Sequence, residues 1–184
     1  MNKSKTTPSA YAYVIHYHKT VRPHYDLRLE INNTMPSWAI PKGPTLDPTV
    51  KRLAMETTEH DMAYRHFEGV IPEDAYGAGA VMIWDEGTYI AEREITKGVR
   101  ETVPDLKESS EVMQKGLQNG EIKFVLRGKK MKGSFALVKT RGFGPKNSWL
   151  LIKHKDKYCV AGYDPKDFPK STKSKRTVEE IAAA

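Results

Sequence analysis

The 184-residue chain has one cysteine, Cys159. A lone thiol forms no internal disulfide and supports no cysteine-based zinc cluster. Any metal would have to be held by histidine and carboxylate. Long hydrophobic runs are also missing, and none approaches the ~20 residues of a membrane-spanning helix. The opening residues, MNKSKTTPSA, carry no apolar stretch, which predicts no secretory signal and a cytoplasmic location. No internal repeat is visible. What is present, 39% hydrophobic and 29% charged residues, suits one compact globular domain rather than a disordered chain.

The net charge of +7 is unevenly placed. Residues 122–157 hold eleven Lys or Arg against Asp156 alone, which leaves the rest of the chain at −3. Phe124, Phe135, Phe143 and Trp149 are interleaved with these cations. A basic face with aromatics is the footprint of a phosphate-backbone partner, while the solvated outer faces of strands would look similar.

Most of the chain reads as short strands. Residues 11–18 (YAYVIHYH) are aromatic and β-branched, and residues 24–31 (HYDLRLEI) alternate with period two. Further strands are expected over 37–40, 51–57, 122–127, 134–139 and 148–154. PKGPTLDP, residues 41–48, and residues 67–79 read as loops. Asp85-Glu86-Gly87 predicts a hairpin turn between strands over 80–84 and 88–94. One helix is expected over 111–119, capped by Ser110 and stopped by Gly120. These elements predict a mainly β protein, an antiparallel barrel or sandwich with few helices. The domain is expected over 11–163, with a flexible arm at 1–10 and a Lys-rich mobile tail at 164–184.

The chemistry concentrates in His18-x5-His24-x-Asp26-x-Arg28. Period two sets His24, Asp26 and Arg28 on one strand face, and His18 enters from the preceding strand. Two imidazoles and a carboxylate form a facial donor set for a divalent transition metal. Arg28 cannot ligate a metal but can hold a phosphate oxygen with two N–H groups. The same residues would equally suit the polar outer face of a half-buried strand. His16 shares the His18 face as a possible outer-shell group. His60 and Tyr64 lie four apart, and on their own suit a solvated turn; Lys42 reads as a surface lysine unless it faces the same mouth.

Longer strings are more specific. HYDLRLE, SWAIPKGPTLDP, KRLAMETTEH, FEGVIPEDAYGAGAVMIWDEGTY, KMKGSFALVKT and SWLLIKHKD occur in order. Together they resemble the 3′-phosphoesterase domain of ligase D, a bacterial end-joining ligase, over about residues 13–158. No ligase or polymerase domain is recognisable, so the chain resembles a free-standing version.

The resemblance implies a compact β-barrel with a crater-like active site. It implies a manganese-dependent enzyme, other divalent transition metals being possible. The activity implied is removal of a 3′-terminal ribonucleoside and then of the 3′-phosphate. His18, His24 and Asp26 match the family's metal ligands. Arg28, His60 and Tyr64 match positions that contact the scissile phosphate, and Lys42 and Arg52 match positions that support phosphate binding. The implied partners are DNA or RNA-tipped DNA 3′ ends, with a repair ligase and polymerase as separate chains. The sequence departs from the family at His16, commonly Gln; at Asp74, usually Gly; and at Asp61-Met62-Ala63, often Pro-Leu-Asp. The family's N-terminal Arg and acidic residues are not recognisable in MNKSKTTPSA. Two other readings use similar residues: a non-catalytic nucleic-acid-binding barrel, and a non-heme iron oxygenase with His24, Asp26 and His60 as its triad.

Overall fold

The computed structural model describes residues 10–184, so the expected arm at 1–10 lies almost wholly outside the described residues. Ten strands form one sheet: β1 (Tyr11–Lys19), β2 (His24–Leu29), β3 (Met35–Ile40), β4 (Lys51–His60), β5 (Gly69–Ile71), β6 (Gly79–Thr96), β7 (Val99–Thr102), β8 (Glu121–Gly128), β9 (Lys132–Lys139) and β10 (Ser148–Lys153). Their order is β1-β2-β3-β4-β10-β9-β8-β6, and pairing of β6 back onto β1 closes the ring. Every pairing is antiparallel. Strands β5 and β7 hang on β6 outside the ring. The strand pattern left a barrel or a sandwich open, and the closed ring of strands matches the barrel that the resemblance implies.

The ring is filled by the apolar face of each strand. Tyr13, Ile15, Leu27, Leu29, Trp38 and Phe124 are all at most 1% exposed. Trp38 and Trp149 meet edge to face at 5.7 Å, and Phe124 stacks on Phe135 at 6.2 Å. Three of the four aromatics in the basic stretch are thus core residues, and only Phe143 is exposed. Lys123 and Arg127 of β8 and Lys132 of β9 occupy the other, outer face, as strand alternation requires.

The expected hairpin at Asp85-Glu86-Gly87 does not form. Strand β6 runs straight through it for 18 residues. The Asp85 carboxylate is buried and accepts from Tyr13 Oη at 2.6 Å and from the backbone N–H groups of Lys129, Lys130 and Met131 at 2.9–3.1 Å. It caps the neighbouring β8–β9 turn, not its own. Gly87 is there for close approach, since a Cβ would lie 2.2 Å from the Arg127 carbonyl oxygen. That β8–β9 hairpin pairs the two strands expected over 122–127 and 134–139.

Helix α1 (Leu106–Asn119) starts earlier than expected. Asp105, not Ser110, is its N-cap and accepts from Glu108 N at 2.8 Å. Gly120 ends it in the left-handed conformation, as expected.

Residues 164–184 differ most from expectation, because they are packed rather than a free tail. Trp84 Nε1 donates to the Phe168 carbonyl at 2.8 Å, and Thr172 N donates to Ile83 O at 3.2 Å. The segment ends in α2 (Val178–Ala183), which has a complete capping box between Thr177 and Glu180. Val178 and Ile181, three residues apart, join the core cluster. Two apolar residues one helical turn apart are enough to seat a short helix, and the lysines around them obscured that pattern.

Candidate metal centre

The β1–β2 hairpin sets the site. Its register places His18 opposite His24 and His16 opposite Asp26. A bulge in the β1–β6 pairing falls between Ile15 and His16, at the entry to this stretch. Period-two alternation then lines His24, Asp26 and Arg28 along one face of β2. That face is not the solvated outer face of the alternative reading, since Asp26 and Arg28 are 5% and 3% exposed. The cover comes from the segment after β4, where Asp61 caps a short 3₁₀ turn, Met62–His66, by accepting from Tyr64 N. Tyr64 on that turn lies under no strand of its own; its ring faces the Arg28 guanidinium at 4.9 Å and stacks on Phe67 at 5.5 Å.

One cavity of about 310 Å³ gathers His18, His24, Asp26, Arg28, His60 and Tyr64. Donor atoms of His18, His24 and Asp26 lie within 4.8 Å of one another. His24 Nδ1 is 2.9 Å from the Arg22 carbonyl, which can only accept, so the ring proton of neutral His24 sits on Nδ1. Its Nε2 lone pair then faces Asp26 Oδ2 at 3.3 Å. Two acceptors at that distance need a cation between them or a proton on Nε2. The hydrogen bond to Asp26 correspondingly pushes the His24 pKa up, against its partial burial. His18 Nε2 is buried with no hydrogen-bond partner. Burial, and then the neighbouring His24, push the His18 pKa down, which keeps its nitrogen lone pair available. An unpartnered imidazole nitrogen, a second imidazole nitrogen and a carboxylate facing it fit a divalent cation. The oxygenase triad of His24, Asp26 and His60 is not the set that converges; His18 takes the third place.

Burial alone would raise the Asp26 pKa, but the His24 hydrogen bond and the Arg28 charge outweigh it and hold the carboxyl below its ordinary range. Arg28 organises the rest. Its Nε donates to His16 Nδ1 at 3.0 Å, Nη1 to Ser37 Oγ at 3.0 Å, and Nη2 to Asp26 Oδ2 at 3.2 Å. Nη1 also contacts His60 Nδ1 at 3.1 Å. Arginine only donates, so in this contact the His60 proton sits on Nε2; the competing Thr58 carbonyl, 3.2 Å from Nδ1, favours the other tautomer. Three of the five guanidinium N–H groups are thus engaged by protein, and a fourth is when His60 carries its proton on Nε2. Burial, followed by Arg28, lowers the His60 pKa, and burial raises that of Tyr64.

Lys42 and Arg52 are not in this cavity. They line a second groove on the opposite face of the β1–β2 hairpin, beside Tyr17 and Tyr25. Sequence reasoning missed Ser37, which sits opposite Arg28 in the β2–β3 register and relays its hydrogen bond to Met35 O. Tyr76, which the sequence suggested would pack, is instead fully exposed at the lip of the cavity, and Gly77, whose positive φ of 76° turns the chain against the His18 ring, was missed.

A closed antiparallel barrel with a two-histidine, one-carboxylate donor set beside a buried arginine defines the class: a β-barrel with a candidate divalent-metal centre. A family model for the DNA ligase D 3′-phosphoesterase domain matches residues 16–139, from His16 on β1 to the end of β9. The chain belongs to that family. It is 40% identical over 144 residues to the multifunctional non-homologous end joining protein LigD of Pseudomonas aeruginosa, covering 78% of this chain and 15% of that protein. It is 35% identical over 144 residues to LigD of Mycobacterium tuberculosis, covering 78% and 16%. It is 35% identical over 156 residues to LigD of Mycolicibacterium smegmatis, covering 85% and 18%. The chain thus spans less than a fifth of the length of these relatives. Among the described residues no helix is long and apolar enough to cross a membrane.

Proposed function

We propose that this chain is a manganese-dependent phosphoesterase that heals DNA 3′ ends for end joining. It removes a 3′-terminal ribonucleoside to leave a 3′-phosphate, then removes that phosphate to leave a 3′-hydroxyl. The observation that carries the proposal is the convergence of His18, His24 and Asp26 within 4.8 Å beside the buried Arg28. Membership of the phosphoesterase family and the end-joining names of its relatives support the substrate.

Both reactions are hydrolyses at phosphorus. In the first, water oxygen bonds to phosphorus, the bond to the leaving 5′ oxygen breaks, and a proton moves to that oxygen. In the second, the 3′ oxygen leaves instead and inorganic phosphate is released. His18, His24 and Asp26 hold the cation; when bound it supplies charge neutralisation at the phosphate and a more acidic water. Arg28 directs its remaining N–H at a non-bridging oxygen and stabilises the charge that builds there. Tyr64, its phenol kept protonated by burial, donates a second hydrogen bond. His60 is held neutral by burial and Arg28, so it serves as a hydrogen-bond donor through Nε2 rather than as a strong acid. Lys42 and Arg52 act on the strand outside the reacting centre, since they face a different groove.

The test is a 5′-labelled primer–template ending in one ribonucleotide, incubated with the protein and manganese, with EDTA and Asp26→Ala in parallel. The expected product is one nucleoside shorter with a 3′-phosphate, then a 3′-hydroxyl, and both controls are inert. Manganese-stimulated turnover by Asp26→Ala would remove Asp26 from the ligand set. Strand binding with no product under any metal would leave the non-catalytic barrel.

A further inference from the structure

The metal cavity has two kinds of wall. Its floor is polar and charged, built from the donor set with Arg28, His60 and Tyr64. Among the other lining residues, only Ile71 and Tyr76 offer a broad apolar surface, and the chemistry at the floor uses neither. Tyr76 is 104% exposed. A ring held wholly in water buries no area, so it adds nothing to the core. Its position at the mouth of a cavity gives it a surface to offer to a ligand.

The ring is carried on a built loop. Residues 72–78 join β5 to β6, and the pairing of Ile71 with Gly79 closes their base. Ala75 N donates to Pro72 O at 3.0 Å, which folds the loop back on itself. Gly79, with φ +132°, lets the chain cross the end of β1, because a Cβ there would collide with the Lys19 carbonyl oxygen. On the other side of Tyr76's neighbour, a Cβ on Gly77 would lie 3.7 Å from His18 Cε1. The loop therefore holds Tyr76 beside the donor set.

The charge on this lip is negative. Glu73 and Asp74 precede Tyr76, are exposed, and among the described residues form no ion pair. Unpaired carboxylates repel a phosphodiester. Stacking of a base on an aromatic ring needs no charge on either. With the scissile phosphate on the cavity floor, one part of a strand carries no further phosphate, and that part is the 3′-terminal nucleoside. An aromatic lip with two free carboxylates accepts that part and disfavours the body of the strand. The cavity volume of about 310 Å³ is at the small end of ligand sites, enough for one such unit and not for a duplex.

We infer that Tyr76 stacks on the base of the 3′-terminal nucleoside and so sets the preference for removing a nucleoside over removing a bare phosphate. The inference rests on the function proposed above. It gives Tyr76 the leaving group of the first reaction, which the substrate of the second reaction lacks.

The test compares wild type with Tyr76→Ala and Tyr76→Phe, substitutions at a side chain that no core residue covers. The first readout is binding by EDTA-treated protein, followed by fluorescence anisotropy, of primer–templates that end in a ribonucleotide or in an abasic ribose. Wild type and Tyr76→Phe are expected to favour the base-bearing end by at least about fivefold, the lower bound for one base–aromatic stack, and Tyr76→Ala to bind both ends alike. The second readout, with manganese, is kcat/KM for nucleoside removal from the ribonucleotide-ended primer against kcat/KM for phosphate removal from a 3′-phosphate primer. Tyr76→Ala is expected to lower the first relative to the second by a similar factor, and Tyr76→Phe to keep the ratio. An equal fall on both substrates, or an undiminished preference for the base-bearing end in Tyr76→Ala, overturns the inference. If wild type releases nothing from either primer, the phosphoesterase reading falls, and the binding comparison alone then upholds or overturns the role of Tyr76.

Discussion

Replacing His16 by Gln and by Leu separates hydrogen bonding from bulk beneath the site. His16 is fully buried; its Nδ1 accepts from Arg28 Nε at 3.0 Å, and its Nε2 lies 3.0 Å from Phe67 O. Arg28 only donates and the carbonyl only accepts, so the ring is the neutral Nε2–H tautomer. Burial, and then the Arg28 charge, hold its pKa down at about 3, consistent with that neutral form. Glutamine offers the same pair of functions, a carbonyl oxygen for Arg28 and an amide N–H for Phe67. His16→Gln is therefore expected to cost under about 1.5 kcal/mol, the scale of a shape change in a packed interior. His16→Leu leaves the Arg28 Nε–H and the Phe67 carbonyl without partners, at about 1–3 kcal/mol each, or roughly 2–6 kcal/mol together. Against a typical domain stability of roughly 5–15 kcal/mol, that difference is easily measured. The assay is urea unfolding with m unchanged, paired with phosphate release from a 3′-phosphate primer. The Leu variant should lose rate as well, because Arg28 loses one of its anchors, while the Gln variant keeps it. Equal destabilisation by the two substitutions, or a Leu cost under about 1 kcal/mol, would refute the donor–acceptor argument. The same argument accounts for glutamine being common at this position in the family that the sequence resembles.

Three further outcomes are expected. Arg28→Lys keeps the charge but offers one point in place of a fork that reaches His16, Ser37, His60 and Asp26; at least a tenfold loss of turnover and roughly 2–5 kcal/mol of stability should follow, and wild-type kcat would remove Arg28 from the site. Ile181→Ala, at a position 2% exposed in the core cluster, should cost about 2–4 kcal/mol in urea unfolding, whereas a mobile tail would show no change. Burial pushes the Lys130 pKa down to about 8 from an ordinary 10.5, so between those values the unfolded chain holds more protons and stability should climb with pH; Lys130→Met should flatten the climb, and superimposable profiles would mean that Trp84 and the Phe168 and Lys170 carbonyls keep the ammonium at its ordinary value.

The strands were legible wherever one face is apolar and the other polar. HYDLRLEI showed β2 and the order of its site residues, because alternation fixes both at once. Signals carried by single residues failed when their partners were distant in sequence. Asp85-Glu86-Gly87 reads as a turn, but Asp85 binds backbone N–H groups some 44–46 residues away and Gly87 makes room for another strand. Strand β7, with the polar sequence VRET, carries no pattern of its own and exists because it pairs with β6. At the site, the metal-type donor set was visible from spacing, and the family motif pointed to His60 and Tyr64. The division between two cavities was not visible, because Lys42 and Arg52 are separated from the donor set only by which side of a sheet they face.

The depth of the Asp26–Arg28 pair bears on why the site is built this way. Burying a guanidinium and a carboxylate costs more than burying apolar groups, and the pair's own attraction does not reliably offset it. The hydrogen bonds of Arg28 to His16, Ser37 and Asp26 supply the missing compensation and fix the guanidinium in one orientation. A fixed guanidinium does not have to reorganise as charge builds on a bound phosphate, which is the condition for electrostatic stabilisation of a transition state. Asp26 is also the sole carboxylate among the residues that line the cavity. If His18, His24 and Asp26 held a divalent cation as proposed, it would, together with Arg28, leave the cavity with a surplus of about two positive charges, the complement of a phosphate monoester dianion.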